Sequence, residues 1–201
     1  MTADVIARSE TTKQSHEIAT PFGLAMTNQR MEVLKEKLKG KVVIVGIGNS
    51  LRGDDGAGPE LIKKLKVKSL KFKVRSSEKN HELSTPNHQL CLIDTGSVPE
   101  NFLQKIVGER PDVILLVDTI NLGKPAGSVE IIKAENLKEE SFSTHNASLK
   151  LTIAYLKKET GTDLFLLGLQ PKNIGFGQKI SPEVEESVKK IAKEIEEIVH
   201  H

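Results

Sequence analysis

The hydrophobic pattern of the chain begins at Met31. MEVLKEKLKG is a short charged amphipathic stretch, and KVVIVGI, residues 41–47, is a continuous β-branched run of the kind buried on both faces of a parallel sheet. A glycine-rich loop follows. Pro59 then stands where a first-turn proline is tolerated and Leu61, Ile62 and Leu65 continue the apolar pattern, so a helix starts near position 58. Residues 67–89 are polar and basic and are expected to hold at most one edge strand, around Leu70 to Val74. Beyond them LCLID, centred on 91–94, reads as a buried strand. Residues 95–108 read as a loop and helix with Pro99 near the helix start, and DVILLVD, 112–118, as the most apolar strand. GSVEIIKA, 127–134, is strand-like, and ENLKEESFSTHN is a polar connection with room for one helical turn. In ASLKLTIAYLKKE, 147–159, Leu149, Ile153 and Leu156 recur at helical spacing, and DLFLLGLQ, 163–170, is a further strand. Ser181 can cap a long final helix with Pro182 in its first turn and an apolar stripe of Val184, Val188, Ile191, Ile195 and Ile198.

Strands alternating with helices predict an α/β three-layer sandwich: a mostly parallel twisted sheet, helices on both faces, and ligands at the carboxyl ends of the strands. A length of 201 residues fits one such domain. Residues 1–30 are Ser/Thr-rich without period 2 or 3.6, lack the apolar run of a secretory signal and carry too many acids for a transit peptide. They are read as a disordered extension, with residues 31–201 as a single α/β domain and Met31 as an alternative start.

Composition narrows the function classes. Lys and Arg total 29 against 27 Asp and Glu, interspersed, so no single-sign field points to nucleic acid or an anionic membrane. No apolar run reaches the 18 residues of a membrane span. Aromatics are 3% with no Trp, leaving few platforms for stacking bases. The one cysteine, Cys91, cannot form an internal disulfide or a multi-sulfur metal site; it reads as a core residue, and a cytoplasmic address is the expectation.

The chemistry concentrates in the loop Gly46-Ile47-Gly48-Asn49-Ser50-Leu51-Arg52-Gly53-Asp54-Asp55-Gly56-Ala57-Gly58. Its glycines invite a phosphate-binding reading. Leu51 occupies the third glycine position of the dinucleotide fingerprint, no Gly-Lys-Ser/Thr follows, and Asp54 and Asp55 would repel a phosphate. Two carboxylates there suit a cation or a proton transfer, or else a helix N-cap. Asp94 and Asp118 end two further apolar strands, so Asp55, Asp94 and Asp118 are expected to converge on one sheet edge, although an acid closing an apolar strand is also an ordinary strand-to-loop transition. His145, in Ser143-Thr144-His145-Asn146, stands at a loop-to-helix junction, whereas His16, His81, His88, His200 and His201 lie in unpatterned or terminal stretches. One imidazole with two carboxylates is a ligand set for nickel, zinc, manganese or iron. Asp94-Thr95-Gly96-Ser97 spells the pepsin-type signature, but here it joins a strand to a helix, which excludes that all-β family.

Taken in order, Gly46–Asn49 with Leu51–Pro59, Asp94–Ser97 with Pro99–Asn101, Arg110-Pro111 leading to Val117-Asp118, Thr144–Asn146, and Gly168–Pro171 with Ile174–Phe176 resemble the hydrogenase maturation endopeptidases, most closely the formate-hydrogenlyase-type branch. The resemblance covers about residues 41–199; residues 1–30 and the basic stretch at 67–89 have no counterpart in it. It implies an endopeptidase that trims the C-terminus of the immature [NiFe]-hydrogenase large subunit. It also implies that Asp55, Asp118 and His145 are both the catalytic and the metal-binding groups, that Asp54 supports the loop, and that the metal is nickel brought by the precursor. No nucleic acid or membrane partner is expected, and the chain is expected to act as a monomer. A non-catalytic nickel-handling or precursor-docking chaperone is the alternative, and a nucleotide-binding enzyme a distant third.

Overall fold

The computed structural model describes residues 32–73, 83–85, 88–137 and 146–200, without the side chains of 68–88, 146–147 and 200. A six-stranded sheet organises these residues in the order β2-β3-β1-β4-β6-β5. Its strands are β1 (Gly40–Ile47), β2 (Leu83–Thr85), β3 (His88–Gly96), β4 (Val113–Thr119), β5 (Val129–Lys133) and β6 (Asp163–Leu169). β3, β1, β4 and β6 run parallel, while β2 and β5 close the two edges antiparallel. The mostly parallel α/β architecture expected from the alternation of strands and helices is present, with antiparallel strands only at its margins.

The helices are α1 (residues 32–37), α2 (Ala57–Lys73), α3 (Leu103–Gly108), α4 (Asn146–Thr160) and α5 (Pro182–His200). Side chains alternate across a strand, so β1 and β4 supply two cores at once. Val42, Ile44, Leu115 and Val117 pack with Leu61, Leu65 and the α5 stripe of Val184, Val188, Ile191, Ile195 and Ile198. Val43, Val45, Ile114 and Leu116 pack with Ile106 of α3 and with Leu149 and Leu156 of α4. Each fully buried Leu or Ile contributes roughly 2 kcal/mol relative to exposure. This aliphatic burial on both faces explains why the strands read as unbroken apolar runs.

Two expectations change. Leu70–Lys73 is the end of α2, and the edge strand lies later, at Leu83–Thr85; Val74 falls outside the described residues. The sequence LKFKV alternates like a strand, yet once a helix is nucleated each added residue gains a hydrogen bond at little further cost, and α2 propagates through it. In addition, the Ser181 hydroxyl turns away from helix capping and donates to Asp54 at 3.1 Å. Residues 1–31 and 138–145 lie outside the described residues, and with them the expected N-terminal extension and His145.

The chain passes from β1 to β3 on one side and then crosses to β4 on the other. Parallel α/β sheets open a crevice at such a reversal, at the carboxyl ends of the strands. Here the reversal falls between β1 and β4.

Candidate active site at the strand ends

The glycine loop leaves β1 and enters α2 through one 3-10 turn, Gly53–Gly56. Gly58 is required by contact: a Cβ there would stand 2.3 Å from the Ile47 carbonyl oxygen and 2.7 Å from that of Val117. Its bare backbone lets the first turn of α2 press against the ends of β1 and β4. Gly48, at φ +137°, leaves room for the Asp55 carbonyl, which accepts the Asn49 amide at 3.1 Å.

This close packing buries Asp55 to 1% exposure, and Asp118, at the end of β4, to 0%. Thr119 joins them: its hydroxyl donates to Asp55 Oδ1 at 3.3 Å and its amide to Asp118 Oδ1 at 2.7 Å. The Asn49 amide donates to Asp55 Oδ2 at 3.0 Å. Buried carboxylates are tolerated only when hydrogen-bonded, and these donors both offset the loss of water and aim the two groups.

Asp54 does something else. Its carboxylate accepts the amides of Lys172 (2.7 Å), Asn173 (2.9 Å) and Ser181 (2.6 Å) as well as the Ser181 hydroxyl. Its own amide donates to the Asn173 carbonyl, and that of Gly53 to Gln178. Asp54 therefore clasps the loop between β6 and α5 to the glycine loop. Asp94 does not join the other acids. It is exposed, accepts the Gly96 amide at 3.0 Å, and borders an open groove of about 570 Å³ with Ser50, Gly56, Pro59, Lys63 and Ile180. The reason is topological: Asp94 ends β3, on the side of β1 away from the reversal. Among the described residues no cluster of three His, Cys, Asp or Glu side chains stands ready for a metal; of the expected ligand set, Asp55 and Asp118 are buried and each accepts a bond from Thr119.

Thr119 was not singled out from the sequence. A signal existed, since Asp-Thr ends both β3 and β4. Thr95 uses its hydroxyl to hold the Gly46 carbonyl at 3.0 Å, tying β3 to β1 as Thr119 ties β4 to the loop. Gln170, at the end of β6, orders the segment after β4 by accepting the Leu122 amide at 2.6 Å. Cys91 is half-buried, and burial followed by the nearby Glu109 carboxylate pushes its thiol above the ordinary value, the opposite of an activated nucleophile.

An α/β sheet with two buried acids at its topological reversal defines the class of protein, and comparison with known proteins supplies the family. The family model described as "HycI: Hydrogenase maturation protease" matches residues 73–198. A Methanocaldococcus jannaschii protein assigned to the hydrogenase maturation proteases is 38% identical over 170 residues, 84% of this chain and 95% of that one. An alignment of that extent necessarily includes the glycine loop. Hydrogenase 3 maturation protease of Escherichia coli is 32% identical over 155 residues, covering 77% of this chain and 88% of that one. The crystal structure of the [NiFe] hydrogenase maturation protease HycI from Thermococcus kodakarensis superposes with a TM-score of 0.69 at 30% identity, over 84% of this chain and 99% of that one. The chain belongs to the hydrogenase maturation protease family and is a hydrolase, an endopeptidase. No helix among the described residues is long and apolar enough to cross a membrane.

Proposed function

We propose that this endopeptidase removes the C-terminal peptide from the nickel-loaded precursor of a [NiFe]-hydrogenase large subunit, with Asp55, Asp118 and His145 as its working groups. The observation that supports this choice of residues is the burial of Asp55 and Asp118 at the sheet's reversal, Asp55 hydrogen-bonded by the Thr119 hydroxyl and Asp118 by the Thr119 amide. Asp118 shares, by strand alternation, the face of Ile114 and Leu116, against which α4 packs, and α4 is the helix that follows His145 in the chain. Two hard oxygen donors and an imidazole suit a borderline divalent cation such as nickel.

In this reading nickel is part of the substrate and supplies positive charge beside the scissile bond. Hydrolysis places a water oxygen on the peptide carbonyl carbon and breaks the bond to nitrogen. A carboxylate of the pair accepts the water's proton and returns it to the departing amine. The fixed donors Asn49 and Thr119 keep the carboxylates aimed throughout, so little reorganisation is needed at the moment of reaction.

The test is intact-mass analysis of nickel-loaded and nickel-free precursor after incubation with the protein. The expected result is loss of one C-terminal peptide from the nickel-loaded form alone. Cleavage of both forms would remove nickel from the reading. Binding without any mass change, with a precursor shown to be competent, would point instead to a chaperone of the immature subunit.

A further inference from the structure

Only five large apolar side chains are strongly exposed among the described residues, and two of them, Leu51 at 62% and Phe176 at 77%, lie on loops joined to each other beside the candidate site. Scattered exposed apolar residues are ordinary. These two are held in place. The Gly177 amide donates to the Leu51 carbonyl at 2.8 Å, and Arg52 Nε donates to the Ile174 carbonyl at 3.3 Å. Each loop is also shaped by an asparagine: Asn49 Oδ1 accepts the Leu51 amide and Asn173 Oδ1 the Gly175 amide. Phe176 occupies the corner of a turn closed by the Gln178 amide on the Gly175 carbonyl, with Gly177 at φ +74° as such a turn demands. Asp54, two residues beyond Arg52, locks both loops through its bonds to Lys172, Asn173 and Ser181.

The two loops are themselves basic. Neither the segment 171–180 nor residues 49–53 contains an acid, and Arg52, Lys172 and Lys179 are exposed. Lys172 is paired with Glu183 at 2.6 Å, while Arg52 and Lys179 make no ion pair among the described residues. The result is a preorganised apolar pair with a cationic rim, contiguous with the loop that carries Asp55.

We propose that Leu51 and Phe176, with Arg52 and Lys179, form the docking surface for the folded body of the precursor, whose matching face is apolar and rimmed with acids. This inference rests on the function proposed above. Rigid apolar anchors ringed by polar groups are the arrangement that concentrates binding energy, because little freedom is lost on contact. A second copy of this chain fits the patch poorly. A two-fold dimer would set the patch against itself and bring like charges together.

Steady-state cleavage of the nickel-loaded precursor separates the ideas. For Leu51→Ala/Phe176→Ala, KM is expected to rise roughly tenfold or more while kcat stays within about twofold, with an unchanged melting temperature. Phe176→Leu should restore most of the lost KM, Phe176→Asp should not, and Arg52→Glu should flatten the salt dependence of KM. Unchanged KM in both the double variant and Phe176→Asp would overturn the docking surface while leaving the protease reading intact. So would a wild-type dimer that Phe176→Asp dissolves. If wild type fails to cleave, the protease reading fails by itself, and the docking surface is read from precursor binding. Binding by Asp55→Asn that is lost when Leu51 and Phe176 are also changed supports it, and binding that persists overturns it.

Discussion

Asp54 and Asp55 are neighbours in the chain, both fully buried, and they face opposite duties. Asp54 looks toward the β6–α5 loop, where four donors from residues 118 to 127 positions away converge on it. Asp55 looks toward β4, where the Thr119 hydroxyl donates to it. One carboxylate organises backbone. The other is held by the threonine that follows Asp118 at the end of β4. The contrast teaches that burial and charge alone do not fix a carboxylate's role; what distinguishes Asp55 is a hydroxyl partner on the strand that ends in a second buried acid, beside the sheet's reversal.

The contrast is open to attack by substitution. Asp55→Asn preserves shape and one acceptor, so cleavage of the nickel-loaded precursor should fall roughly a thousandfold, within the range of a lost acid-base group, while the melting temperature moves little. His145→Ala should behave likewise, and full activity in both would undo the assignment. Asp54→Ala leaves three amides without their acceptor and should cost roughly 4 kcal/mol, or about 10 °C of melting temperature by calorimetry, with a smaller loss of turnover in the molecules that remain folded. If its turnover fell as far as that of Asp55→Asn, the division of labour would collapse.

Smaller effects sharpen the picture. Thr119→Val removes the hydroxyl that holds Asp55 and should lower turnover roughly tenfold at a stability cost of about 1 kcal/mol, whereas Thr119→Ser should keep most of the rate. Cys91, on β3 away from the reversal, serves as a control: Cys91→Ala should leave cleavage unchanged, and iodoacetamide should label the folded protein more slowly than the unfolded chain. Its thiol is held above the ordinary value by burial and by Glu109, so the folded state keeps its proton where the unfolded state has lost it. Stability should therefore decline as pH rises past the ordinary thiol value, and chemical denaturation of wild type against Cys91→Ala across that range would measure it.

Much of this was legible in residue order. The unbroken runs at β1 and β4 reported strands covered on both faces, and the α5 stripe of Val184 to Ile198 reported its buried side, because periodicity records burial directly. The placement of Asp55 and Asp118 beside one sheet reversal was foreseeable from the doubly wound pattern. The exclusion of Asp94 was not, since that required knowing on which side of β1 its strand would lie. Local alternation misled at Leu70–Lys73, where helix propagation from α2 prevailed over a strand-like pattern.

By itself, then, the sequence determined most of the elements, the α/β class and the positions of the acids along the chain, because hydrophobic period and glycine placement act over a few residues. Tertiary structure decided their roles. Asp54 became a clasp on the β6–α5 loop and Asp55 a partner of Thr119 because their partners come from opposite flanks of the glycine loop, and hydrogen bonds across more than 60 positions form only once the sheet order has brought those flanks together.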